Sequence, residues 1–222
     1  MIGDIIKEIT SELPSGTRLV AVSKFHPCEA IVEAWQAGQK LFGENRPQEL
    51  EKKIKELPED LLKDVSFHFL GHLQTNKLKM VLPYVSMVQS IDTVHLLDEV
   101  NKWCLKNGKV MDVLLEMHIG AEQTKQGFYE EEILDVMFNA DKYRGVRICG
   151  LMGMASHTDD EEAVAADFQR IKNHFDYIKD TFPENKDFKE LSIGMSEDYK
   201  IALNYGATFI RVGSKIFGPR VY

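Results

Sequence analysis

Two short apolar runs near the C-terminal end of the chain finish in small residues. They are Leu191-Ser192-Ile193-Gly194-Met195-Ser196 and Phe209-Ile210-Arg211-Val212-Gly213-Ser214. Small residues at a strand end leave backbone N–H groups uncovered, and where such a turn opens a helix it forms a nest for a phosphate dianion. Near the other end a lysine, Lys24, closes the apolar run Leu19-Val20-Ala21-Val22-Ser23. An ammonium that is partly desolvated and close to other cations loses its proton more readily and becomes a nucleophilic amine. A phosphate nest together with such a lysine points to a carbonyl cofactor that carries a phosphate and is held as an imine.

Other side chains in these runs have a choice of roles. Arg211 stands two residues before Gly213, so strand alternation points both to one face; a buried arginine there needs either a core carboxylate or a ligand atom as acceptor. Asn45, in Gly43-Glu44-Asn45-Arg46, closes another run and is either a turn residue or a ligand contact. Ser192, Gly194, Met195, Ser196, Gly213 and Ser214 could each be nothing more than turn formers. Two such turns at successive strand ends favour the phosphate. His68 and His72 lie four apart and could be drawn with His118 or Asp92 as a metal site. No convergent set with supporting carboxylates accompanies them, and no metal is expected.

These residues must be held by a scaffold, and its rhythm is plain. Candidate strands at 18–24, 40–44, 66–71, 84–91, 111–119, 146–155, 190–194 and 208–213 alternate with helical patterns. Residues 28–37 place Ile31, Ala34 and Trp35 on one face, 47–57 open on Pro47, and 93–106 carry Val94, Leu97, Val100 and Cys104. The longest pattern steps through Val164, Phe168, Ile171, Phe175, Ile178 and Phe182, with Asp159 and Glu162 at capping-box spacing. A last helix is expected over 197–205, with Ser196 as its N-cap. Eight strand–helix alternations without a break predict a single-domain (β/α)8 barrel over residues 1–222, with an extra N-terminal helix at 4–12. An open doubly wound sheet would carry a GxGxxG turn after the first strand, and there is none. In a barrel, ligands bind at the strand C-termini and phosphate sits after strands seven and eight, where the two small-residue turns fall.

Composition narrows the class. With 222 residues, 44% of them hydrophobic, the chain can bury one sizeable core. Its net charge of −8 argues against a nucleic-acid partner, which calls for a basic footprint. Cys28, Cys104 and Cys149 stand far apart with no CxxC, as expected of reduced thiols in the cytoplasm. The N-terminus, with Asp4, Lys7 and Glu8 among apolar residues, does not read as a signal peptide, and no run is long enough to span a bilayer.

Read together, the motifs resemble the pyridoxal 5′-phosphate homeostasis protein family, single-domain relatives of the alanine racemase barrel. The resemblance rests on Val22-Ser23-Lys24, Phe42-Gly43-Glu44-Asn45 with Gln48-Glu49, and His68-Phe69-Leu70-Gly71-His72-Leu73-Gln74-Thr75-Asn76-Lys77. It continues through Lys125-Gln126-Gly127, Gly150-Leu151-Met152, Leu191–Ser196 and Arg211–Gly218. It implies that Lys24 holds pyridoxal 5′-phosphate as an internal aldimine. It also implies that Ser192, Ser196, Gly213 and Ser214 surround the phosphate, that Arg211 faces the pyridine nitrogen and that Asn45 lies near the ring. His118, Ile193 and Gly153 depart from the residues common in that family.

The resemblance further implies a monomeric carrier that serves amino-acid and keto-acid balance and hands the cofactor to pyridoxal phosphate-dependent apoenzymes. In alanine racemases the second catalytic base comes from a separate C-terminal domain, and this sequence ends at Tyr222, four residues after Gly218. Cofactor binding without substantial catalysis is therefore expected, with a weak amino-acid racemase as the alternative. A Schiff-base aldolase fits less well, because no carboxylate–lysine relay is evident around Lys24.

Overall fold

In the computed structural model, which describes residues 1–120 and 126–219, eight parallel strands close into a barrel in chain order. They are β1 (Arg18–Val22), β2 (Leu41–Glu44), β3 (Ser66–Phe69), β4 (Met87–Ile91), β5 (Met111–Met117), β6 (Val146–Gly153), β7 (Glu190–Ser192) and β8 (Phe209–Val212). The α-helices of the first half are α1 (Ile2–Glu12), α2 (Cys28–Gln36), α3 (Pro47–Glu56), α4 (Glu59–Asp64) and α5 (Leu78–Val81). Those of the second half are α6 (Val94–Lys106), α7 (Glu130–Phe138), α8 (Glu161–Thr181), α9 (Tyr199–Leu203) and α10 (Ser214–Phe217). The single-domain (β/α)8 architecture read from the sequence is the one observed, and α1 is the extra helix, packed on α2 and α10 through a face that buries Ile6 and Ile9. Lys125 of the Lys125-Gln126-Gly127 motif lies outside the described residues. Among those described, no helix is long and apolar enough to cross a membrane.

Several boundaries differ from the sequence expectation, each for a local reason. Six strands end one or two residues early, because residues such as Ile119 and Ile193 stay buried after leaving the ladder. Apolar character thus outlasts strand pairing. The N-cap of α8 is Asp160 rather than Asp159: its Oδ1 accepts from the N–H groups of Glu162 (3.0 Å) and Ala163 (3.4 Å). Along α8, Val164, Phe168, Ile171, Phe175 and Ile178 are buried, each worth roughly 1.5–3 kcal/mol if fully removed from water. The helix after β7 starts at Tyr199, not at residue 197, and Asp198 takes the N-cap position expected of Ser196.

The barrel interior is part oil and part polar chain. Val20, Met87, Leu114, Cys149, Met152 and Phe209 fill it from five strands, while Phe42, Phe69, Val88 and Ile210 belong to the larger core shared with the helices. Between the interior apolar groups runs a directed line of hydrogen bonds. An Nη1 N–H of Arg211 donates to Ser192 Oγ (2.7 Å), the Ser192 hydroxyl donates to Gln89 Oε1 (2.6 Å), and Gln89 Nε2 donates to His68 Nδ1 (2.8 Å). At the strand N-termini a cavity of about 510 Å³ opens below His68. Its rim carries two ion pairs, Arg18 with Glu190 and Arg147 with Asp112. In such barrels this end serves stability, and ligand chemistry sits at the other.

His68 makes the interior sensitive to acid. Burial, with a smaller contribution from Arg18, pushes its pKa down from 6.5 to about 3, so the folded ring stays neutral and keeps Nδ1 free to accept from Gln89. The unfolded chain takes up a proton near pH 6.5 that the folded chain refuses until about pH 3. Stability from this residue is therefore complete above 6.5 and falls through that window, by up to about 1.4 kcal/mol per pH unit. His68→Asn keeps an acceptor and removes the titration. Its urea midpoint should drop less than that of the wild type between neutral pH and pH 4, whereas parallel curves would assign the acid loss to other groups.

Candidate functional site

Barrel closure sets the site. β1 pairs with β8 in parallel, Ala21 opposite Val212, so the turn after β1 and the turn after β8 become neighbours although they are far apart in sequence. Lys24 lies in the first of these turns, two residues beyond the strand, and is half-buried. Gly213 opens the second, and a Cβ there would come 3.0 Å from the Val22 carbonyl oxygen, so the two turns touch closely enough to favour a residue without a side chain. α10 follows at once: its first intrahelical bond runs from the Ile216 N–H to the Gly213 carbonyl (2.9 Å), and the N–H groups of Ser214 and Lys215 take no part in that ladder. Ser196, on the neighbouring turn after β7, accepts from the Gly213 N–H (3.2 Å) and ties the two small-residue turns together. Gly194 holds φ +89°, and a Cβ there would meet Ala202 Cβ at 2.7 Å and Tyr199 Cα at 2.9 Å.

Not every residue expected at the cradle lies open at the mouth. Ser192 is fully buried, its hydroxyl committed to Gln89 and Arg211, so it acts one layer below the mouth. The Met195 N–H is taken by Asp198 Oδ1, while the Met195 side chain is exposed at the rim. Ser196, Gly213 and Ser214 remain at the open lip of these turns.

Arg211 forms the floor. One Nη1 hydrogen goes to the Ser192 carbonyl (2.7 Å), the other to Ser192 Oγ, and Nη2 donates to the Gly153 carbonyl (2.9 Å). Those bonds engage three of the five N–H donors of a guanidinium. Complete burial lowers its pKa to about 10, against the opposing pull of Asp198 and Glu116, so it remains a cation at neutral pH. Glu116, on β5, is pushed up to about 7 by burial and by Asp92, with Arg211 pulling the other way.

The alanine racemase N-terminal domain family matches residues 4–221. The Pyridoxal phosphate homeostasis protein of Aquifex aeolicus is 37% identical over 92% of this chain and 88% of its own. The human protein of that name is 35% identical over 92% of this chain and 77% of its own. This chain belongs to the pyridoxal phosphate homeostasis protein family. The structure of the family member PipY from Synechococcus elongatus without pyridoxal phosphate superposes with a TM-score of 0.92, at 32% identity, over 98% of this chain and all of PipY. PipY with pyridoxal phosphate bound gives 0.87 at 31% identity. Alanine racemase from Bartonella henselae shares the fold, with a TM-score of 0.73 at 14% identity over 58% of that chain.

In this member of the homeostasis family the mouth gathers Asn45, a candidate from the sequence, with residues its motifs alone did not assign. Asn45 Oδ1 is buried without a hydrogen-bond partner among the described residues, and so is His118 Nδ1. His72 and His68 do not share a site: His72 pairs through Nδ1 with Asp92 (2.9 Å) at the mouth, while His68 sits inside the barrel. Beneath the Lys24 turn lies a buried ionic cluster of Glu44, Glu49 and Lys53. The signal for it in the sequence is the Glu49–Lys53 spacing of four on α3. That spacing is usually a surface pair, so only packing reveals that this one is buried.

The Ser192 hydroxyl joins Arg211 to the interior chain. Ser192→Ala would leave Gln89 Oε1 and one guanidinium N–H unmatched, at a cost of about 1–3 kcal/mol for such a buried polar group. Urea unfolding should show that loss. Ser214→Ala, at an exposed position, should stay within about 0.5 kcal/mol of wild type. Equal stability of both variants would show that the chain through Ser192 contributes nothing.

Proposed function

We propose that this protein binds pyridoxal 5′-phosphate for cellular homeostasis of that cofactor, with Lys24 as the residue that holds it. The observation that carries the reading is the meeting of the Lys24 turn with the Gly213-Ser214 turn across the β1–β8 seam. PipY, matched along its whole length, supports it with a structure containing pyridoxal phosphate. When bound, the cofactor supplies an aldehyde and an electron-withdrawing pyridine ring.

The residues present fit such a group. Ser196 and Ser214 offer hydroxyls and the start of α10 offers backbone N–H groups, which together suit a phosphate dianion. Asn45 presents a buried oxygen still lacking a donor, as expected of a residue that meets a ligand. Arg211 has donors beyond those used by Ser192 and Gly153, and as a cation it would donate to the ring nitrogen rather than protonate it. That weakens the ring as an electron sink compared with a carboxylate partner. Lys24 would hold the cofactor covalently through its side-chain nitrogen, the aldehyde oxygen being lost as water. Borohydride reduction of the loaded protein followed by peptide mapping should place the pyridoxyl group on Lys24. Finding it only on Lys77, Lys125 or Lys215 would overturn the assignment. In the fold Lys215 is already engaged by Glu8 and the Tyr199 hydroxyl.

We read the protein as a carrier rather than an enzyme, delivering cofactor to apoenzymes as a cytoplasmic monomer. Relatives matched over most of their length are named homeostasis proteins, whereas the racemase likeness covers 58% of that enzyme. Racemisation needs a proton-transfer group on each face of the substrate, and each contributes about 10²–10⁴-fold. A weak racemase is the second reading, favoured by the oriented His72–Asp92 pair at the mouth. Loaded protein incubated with L-alanine should give at most trace D-alanine by chiral chromatography. Turnover in the range of about 1–10³ per second would establish an enzyme.

A further inference from the structure

Lys24 sits in a turn that needs outside help to keep its shape. β1 ends at Val22, and after a last backbone bond from the Ser23 N–H to the Gly43 carbonyl (3.0 Å) the chain turns away from the sheet. Phe25, immediately after the lysine, has φ +65°, the one positive-φ residue other than glycine among those described. A side chain in that region is strained and persists only where its surroundings over-determine it.

The surroundings come from the next βα unit. The Phe25 N–H donates to Glu49 Oε1 (2.6 Å), and the Ser23 carbonyl accepts from Lys53 Nζ (2.8 Å). These two groups belong to the two peptide units that flank the Lys24 Cα, so both backbone torsions at Lys24 are pinned. The same Lys53 ammonium donates to Glu44 Oε1 and Glu49 Oε1, each at 2.7 Å, and the Ser23 hydroxyl donates to Glu44 Oε1 (2.6 Å). All three hydrogens of Lys53 are thereby used, and its side chain is almost wholly removed from water. A guanidinium, that of Arg46, covers the Phe25 ring from outside, 4.3 Å from its centre.

A buried ionic cluster is a weak source of stability, since apolar groups of the same volume often do as well. What this cluster adds is direction. We propose that Lys53 is a positioning residue: with Glu44 and Glu49 it clamps the peptide on both sides of Lys24 and aims that side chain at the cofactor aldehyde. The proposal rests on the reading of Lys24 as the cofactor-holding lysine and adds the means by which it is held in place.

Lys53→Met combined with Glu44→Gln removes the Lys53 side of the clamp and neutralises the fully buried carboxyl, leaving only the partly exposed Glu49 charged. Glu49→Ala, at a partly exposed position, removes the acceptor for Phe25 together with one of the two carboxylates on Lys53, and serves where the double variant does not fold. Two ligands separate positioning from general structure: pyridoxal 5′-phosphate, and pyridoxine 5′-phosphate, which carries an alcohol in place of the aldehyde and needs only the cradle. Affinity for pyridoxal 5′-phosphate should fall about 10- to 100-fold, the worth of one or two charge-assisted hydrogen bonds, with pyridoxine 5′-phosphate unaffected. In the cofactor-free variants, amide hydrogen exchange should quicken in the peptide spanning residues 22–26. Unchanged affinity for both ligands, or an equal loss for both, would overturn the proposal while borohydride mapping still marks Lys24 in the wild type. A wild type with no pyridoxyl on Lys24 would instead overturn the underlying reading, and this one with it.

Discussion

A guanidinium enclosed by a barrel has to find its acceptors inside, because leaving them unmade costs several times what each bond returns. Arg211 meets that demand with the Ser192 carbonyl and hydroxyl and the Gly153 carbonyl, and much of the interior follows from it. Ser192 is drawn below the mouth, Gln89 turns its oxygen toward it, and His68 is held neutral to receive the Gln89 N–H. The result is a polar line through an otherwise apolar tube. It anchors a cation beneath the two small-residue turns after β7 and β8.

Two devices hold the two sides of the mouth, and they differ in kind. On the β7–β8 side, small residues let backbones approach: Gly194 packs against Ala202 and Tyr199, and Gly213 against Val22. On the β1–β2 side, charge replaces smallness, with Glu44, Glu49 and Lys53 gripping the turn that carries Lys24. Backbone approach suits an anion that is recognised by N–H groups. A charged clamp suits a single flexible side chain that must arrive at one atom, since a lysine loses its aim unless its backbone is fixed.

The family relationship explains why the architecture alone does not choose a chemistry. The same barrel serves alanine racemases at 14% identity and pyridoxal phosphate homeostasis proteins at 32–37%. What the chains share here is the fold; a chemistry is decided by the side chains placed around the mouth. In this chain the titratable groups near it include the His72–Asp92 pair and Glu116, whose carboxyl is pushed up to about 7 by burial.

The eight-strand rhythm, the extra first helix, the stripe on α8 and the lysine-plus-cradle motifs are all legible in the sequence, because each rests on contacts between residues close in the chain or on alternation along a strand. The boundaries were less so. Ile119 and Ile193 remain apolar past the last ladder bond, and Asp160 rather than Asp159 caps α8, since burial and capping geometry are fixed only when neighbouring elements dock. The contacts around the mouth divide in the same way. The runs that carry Lys24, Ser196, Arg211, Gly213 and Ser214 are legible as strand ends. That Ser192 serves the arginine, that His68 and His72 part company, and that Lys53 is buried under Lys24 depended on contacts between distant strands and helices. Residue type and spacing determined which groups could do chemistry. Only barrel closure decided which of them meet, because β1 and β8 become neighbours through hydrogen bonds that no local pattern encodes.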